Sequence, residues 1–117
     1  METYATQEDV GKTTISTEVL HKIARLTALS VEGVSRMESF KGSFEIFSGK
    51  EEYEGVKVQI KDDMVFAEIY VVLISGMNVR DISREIQSRV SRAISEIVGM
   101  EVGGVNIHIM DIDFNAY

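Results

Sequence analysis

The stretch Met64-Val65-Phe66-Ala67-Glu68-Ile69-Tyr70-Val71-Val72-Leu73-Ile74 decides the fold. Successive side chains of a strand point to opposite faces, and here both sets are apolar. Val65, Ala67, Ile69, Val71 and Leu73 form one set. Met64, Phe66, Tyr70, Val72 and Ile74 form the other, interrupted only by Glu68. Such a strand needs cover on both faces. A chain of 117 residues can cover one with its own helices, so the second face predicts contact with a partner or another copy.

Working backwards, Val56, Val58 and Ile60 alternate with Lys57, Gln59 and Lys61, the pattern of a half-buried strand, and Asp62-Asp63 turns it into 64–74. Working forwards, Gly76-Met77 ends the two-sided strand, and Asn78 caps a helix to about Val98. Its stripe Val79, Ile82, Ile86, Val90, Ile94 and Ile97 follows steps of three and four. Gly99 closes this helix, and Gly103-Gly104 lead into a last strand, Val105 to Phe114.

The upstream half reads as a short edge strand Lys12–Ile15, then Ser16 as the N-cap of a helix to about Val31. That helix has an apolar face of Leu20, Ile23, Ala24, Thr27 and Val31, with Ile15 and Leu20 at staple positions and Gly33 as its stop. Val34 to Phe40 reads as a strand, and 41–54 as a loop holding a strand around Ser43–Phe47. The expected fold class is α+β: a single-layer mixed or antiparallel sheet with two helices packed on one face, like a split β-α-β unit. Residues 1–11 are expected to form a flexible lead, and 12–117 one domain.

Composition excludes several functions. Cysteine is absent, which removes disulfides, zinc-thiolate sites and thiol chemistry and fits a reducing cytosol. A net charge of -7 and a pI near 4.8 disfavour a phosphate backbone or an anionic membrane as the direct electrostatic partner. Met1 to Asp9 is polar and acidic, without the features of a secretory signal. The longest apolar run, Ile69 to Ile74, falls far short of the roughly 20 residues of a membrane span. Membrane proximity would therefore need another protein.

No catalytic motif is legible. Between Gly42 and Gly49-Lys50 six residues intervene and Glu51 follows, whereas a phosphate loop needs four and then Ser or Thr. Gly-x-x-Gly and Gly-x-Ser-x-Gly are absent. His21 lies on the first helix and His108 on the last strand, where a lone histidine reads as a packing or interface residue. Asp111 and Asp113 point the same way and could share a cation; the plainer reading is a strand that has outrun its core. The expectation is no enzyme, no cofactor and no metal.

The expected interface is the sheet face away from the helices: Phe66, Glu68, Tyr70, Val72, Asn106, His108, Met110, Ile112 and Phe114. Val105, Ile107 and Ile109 should face the helices. A contiguous apolar patch marks an interaction site, and a homo-oligomer is the simplest way to bury it. A second expected contact sets Arg80, Arg84, Arg89 and Arg92 of the second helix against the acidic Glu51, Glu52 and Glu54 of a neighbouring subunit. The plainer reading is a solvated face partly paired through Glu85–Arg89 and Arg92–Glu96. Phe66 and Tyr70 on an open sheet also raise a single-stranded nucleic-acid regulator, against which the charge balance weighs.

Taken in order, Ile15-Ser16 with Glu18-Val19, Glu32-Gly33-Val34, Gly55-Val56-Lys57-Val58, Gly76 before Asn78-Val79, Gly99-Met100 and above all Val105-Asn106-Ile107-His108-Ile109 resemble the alkaline shock protein / Gls-type envelope stress response family of bacteria, in its short YloU-like form. The resemblance spans Thr13 to Phe114. Ser75-Gly76, where the family often has Tyr-Gly, and Asp62-Asp63 depart from it and bear on local geometry. The resemblance implies a cytoplasmic protein of envelope homeostasis and general stress, with no enzymatic activity or cofactor. It also implies a place at the inner face of the membrane through an anchor protein, or partnership with a lipid-metabolic enzyme. Joined to the apolar far face, the expected role is a self-associating scaffold or adaptor.

Overall fold

The computed structural model describes residues 11–39 and 52–115. The rest of the N-terminal lead, the strand expected around Ser43–Phe47, Phe40, Glu51 and the side chain of Glu52 lie outside the described residues.

Helix α1 spans Thr17–Leu29. Ser16 is its N-cap, with Oγ accepting from the Val19 N–H at 3.4 Å. The helix stops two residues earlier than the apolar spacing predicts. The Ser30 hydroxyl donates to the Thr27 carbonyl at 2.6 Å, a local bond that competes with helix continuation. Lys12–Ile15, expected as an edge strand, forms no regular structure. Strand β1, Val34–Met37, follows through Gly33, whose φ of 103° is open to glycine at little cost.

Strand β2 is the pair Glu52–Tyr53 and β3 is Val56–Lys61. The acidic stretch read as loop thus contributes a short strand. Glu54 and Gly55 both have positive φ, as do Asp62 and Asp63. Each pair makes the two-residue turn whose twist matches a hairpin. Strand β4 is Met64–Ile74, helix α2 is Val79–Val98 and strand β5 is Glu101–Asp113. Asn78 caps α2 by accepting from the Asp81 N–H at 3.0 Å, and Gly99 closes it with φ 73°.

Strand β4 organises the sheet. Antiparallel β3 pairs with its first half, from Lys61↔Met64 to Val56↔Ile69, and antiparallel β1 with its second half, from Met37↔Val71 to Val34↔Leu73. Parallel β5 runs along the opposite edge, with α2 as the crossover that a parallel pair requires. The class is therefore α+β, and the sheet is mixed. Val65, Ala67, Ile69, Val71 and Leu73 of β4 meet Leu20, Ala24 and Ala28 of α1 and Ile82, Ile86, Val90 and Ile94 of α2 in one core. Each fully buried Val, Leu or Ile side chain of this core contributes about 1.5–3 kcal/mol, the alanines less.

Two register shifts in β5 change the expected faces. Gly103 lies in the first, between Val65↔Val102 and Phe66↔Gly104, so β5 starts before the glycines and not after them. The Phe66 ring occupies the space a Cβ on Gly103 would take. Met110 lies in the second, between Val71↔Ile109 and Val72↔Asp111. A bulge re-aims every residue beyond it, so Ile112, expected on the far face, pairs with Leu73 and packs against the helix-side core. Val79 and Ile97, the ends of the predicted α2 stripe, are exposed.

Candidate functional site

The far face carries a polar and aromatic cluster at its centre. Lys57 of β3, Glu68 of β4 and Asn106 of β5 lie in one cross-strand row, with Tyr70 and His108 in the next. Glu68 accepts from Asn106 Nδ2 at 2.9 Å and from His108 Nε2 at 2.5 Å. The His108 ring stacks on Tyr70 with centroids 4.6 Å apart and planes 14° from parallel. Lys57 Nζ sits 5.5 Å from the Tyr70 ring centroid, within cation–π range. Glu68 thus ties β4 to β5 through two side-chain bonds and holds the imidazole flat on the phenol.

This face is less open than alternation predicts. Tyr70 is 7% exposed and Val72 fully buried within the single chain. With one side against His108, the Tyr70 ring offers no open platform for base stacking. At the strand ends, the Ser35 hydroxyl donates to Asp113 at 2.7 Å, and Arg36 lies 3.5 Å from the same carboxylate oxygen. Because β1 and β5 flank β4, this pairing reaches across the strand between them. The Ser35 hydroxyl first, then the Asn115 backbone N–H, and more weakly Arg36 hold the Asp113 carboxyl below the usual range; burial opposes them. Asp111 Oδ1 accepts from the Ile112 N–H at 2.7 Å. Among the described residues no group of three or more His, Asp or Glu is arranged to hold a metal. Of the expected far-face interface, Met110 and Phe114 are exposed apolar residues.

The arginines of α2 are all exposed, and Arg89 Nε pairs with Glu85 at 2.6 Å. Glu54, expected to meet such an arginine from another subunit, pairs within the chain with Arg25 of α1 at 2.8 Å. Those two residues, with Glu18, His21 and Lys22, line a concavity of about 210 Å³. His21 is buried, and its Nδ1 bonds the Thr17 carbonyl at 2.6 Å.

Exposed apolar side chains occur on both helical elements: Ile15 precedes α1, Val19 and Leu26 lie on it, Met77 precedes α2, and Val79 and Ile97 lie at its two ends. Val19 is 44% and Leu26 55% exposed, and seven residues, almost two helical turns, separate them. Sequence reasoning passed over both because they lie off the Leu20–Ala24 stripe. The available signal was a second apolar face on a helix that needs only one.

The model of the alkaline shock protein 23 (ASP23) family, described as having a cell envelope-related function, matches residues 5–114. The chain belongs to this family. Among ASP23-related proteins, the uncharacterized protein YqhY of Bacillus subtilis is 29% identical over 109 residues, covering 92% of this chain and 81% of the relative. Spy1535 of Streptococcus pyogenes serotype M6 is 33% identical over 108 residues, covering 92% and 83%. YloU of Bacillus subtilis is 24% identical over 106 residues, covering 87% and 88%. The C-terminal domain of MamM superimposes with a TM-score of 0.50 at 12% identity over 83% of this chain and 96% of that one, a likeness of fold alone. No helix among the described residues is long and apolar enough to cross a membrane.

Proposed function

We propose that this member of the ASP23 family is a non-enzymatic, self-associating scaffold or adaptor of the cell envelope, brought to the inner face of the membrane by a partner protein. The carrying observation is the pair of exposed aliphatic side chains, Val19 and Leu26, on the outward line of α1. A solvated helix normally presents polar residues there. On the far face of the sheet Tyr70 and Val72 are already buried within the single chain, while Met110 and Phe114 stay exposed. The family's envelope-related description supplies the setting, and the net charge of -7 favours a protein intermediary over direct attraction to anionic lipid.

The test is the mass of the intact complex. The purified chain, measured by sedimentation from micromolar to millimolar concentration, is expected to assemble beyond the monomer. Material captured from native cells is expected to hold several copies together with a membrane-associated protein. A chain that stays monomeric across the whole range would overturn the reading.

A further inference from the structure

The exposed stripe of α1 complements itself. Val19 and Leu26 stand on one outward line of the helix, and the residue before each is charged: Glu18 before Val19, Arg25 before Leu26. At 100° per residue, both charges lie on the same flank of the line. A two-fold axis perpendicular to a helix brings like flanks of the two copies together while reversing their direction. Residues 19 and 26 then exchange places, and so do 18 and 25.

We infer that α1 is an isologous docking surface for a second copy of this chain, packed antiparallel about a two-fold axis near Lys22. Val19 of each copy lies against Leu26 of the other, and Glu18 of each lies beside Arg25 of the other. Apolar contact and charge pairing fall into register together, as a self-complementary interface requires. Arg25 already pairs with Glu54 at 2.8 Å. That bond uses Nε, and the guanidinium has further N–H donors for a second carboxylate. The Lys22 side chains meet near the axis, where their long stems cover apolar surface while the ammonium groups stay in water.

This inference rests on the self-association reading, and the experiment separates the two. Sedimentation equilibrium is run on the full chain, on Leu26→Asp, on Glu18→Arg, on the double variant Glu18→Arg with Arg25→Glu, and on Met110→Asp. Circular dichroism confirms that each is folded. Leu26→Asp is expected to weaken dimerisation at least tenfold and Glu18→Arg severalfold. The double variant recovers most of the Glu18→Arg loss because the pair is re-formed with signs exchanged. Met110→Asp leaves dimerisation unchanged. A monomeric wild type overturns both readings and leaves the stripe to a different partner. A wild-type dimer that Leu26→Asp does not weaken overturns this interface alone. Arg25→Glu alone, measured beside these, carries the cost of losing the Arg25–Glu54 pair, and a double variant that dimerises no better than the two single losses add up to overturns the antiparallel register.

Discussion

Substituting Gly33→Ala tests how tightly the α1–β1 turn is packed against the second helix. Gly33 has φ 103°, and a Cβ there would lie 2.5 Å from Ile82 Cδ1 and 3.0 Å from Cγ1. Carbon atoms normally rest about 3.5–4.0 Å apart. Ile82 belongs to the buried core, so it must move by roughly an ångström or change rotamer, and overpacking of this kind costs about 1–3 kcal/mol. Positive φ adds about 1–2 kcal/mol for a residue with a Cβ. The smaller conformational entropy of the unfolded alanine chain returns about 0.4–1 kcal/mol.

The expected net loss is about 2–4 kcal/mol, a substantial share of the 5–15 kcal/mol typical of a domain, and a fall in Tm of roughly 8–16 °C. Urea unfolding followed by circular dichroism measures it. Ile82→Val deletes Cδ1 and alone costs about 0.5–1.5 kcal/mol. In the double variant the missing methyl relieves the closest contact, so the losses add to less than their sum by about 1 kcal/mol or more. Strict additivity, or a Gly33→Ala loss below about 0.5 kcal/mol, would refute the packing argument.

Three further outcomes follow from individual contacts. Asp113 is held ionised chiefly by the Ser35 hydroxyl; its folded pKa lies below the unfolded value near 4, so its stabilisation is complete above that value and disappears as pH falls through the folded one. Ser35→Ala should raise the Asp113 pKa in a carboxyl NMR titration, and an unchanged titration refutes the assignment. Asn78→Ala removes the acceptor for the Asp81 N–H and should cost about 1 kcal/mol in urea unfolding, with Asn78→Asp nearly neutral; equal losses would show that the cap bond is unimportant. Glu68→Ala frees His108 and Asn106 and should cost about 1–2 kcal/mol, tempered by their partial exposure. It should also shift the His108 ring protons as the stack on Tyr70 loosens, and unmoved resonances would count against Glu68 as the clamp.

The helix–sheet core was legible because its signals are periodic. Both helices, both caps and the strands β3 and β4 follow from spacing, and the resemblance became family membership over residues 5–114. Bulges were not legible. Alternation carried through Met110 assigns every later residue of β5 to one face or the other, and a single inserted residue reverses the assignment. Ile112 was lost in this way. The Glu54-Gly55 hairpin was hidden inside an acidic run whose charge suggested a loop. At the centre of the far face the residues were foreseen, but their relations were not. Nothing in one strand's sequence announces that Glu68 will meet His108 from a strand forty residues on.

The contrast between the two helices separates what the fold needs from what lies beyond it. Both sit on the same side of the sheet and bury one stripe, Leu20, Ala24 and Ala28 on α1 and Ile82, Ile86, Val90 and Ile94 on α2. On its outward side α2 presents Arg84, Ser88 and Ser95, all exposed. Outward positions of α1 instead hold Val19 and Leu26, where the same layer would accept polar residues equally well. Joint replacement by Val19→Lys and Leu26→Gln should therefore leave unfolding stability within about 0.5 kcal/mol, as surface changes usually do. Lysine's better helix propensity should add a few tenths. Assembly should be lost in the same variant. Denaturant unfolding at a concentration where the wild type is monomeric gives the first quantity, and sedimentation gives the second. A loss of folding stability above about 1 kcal/mol would place these side chains among the groups that hold the monomer together and remove the ground for assigning them to a second copy.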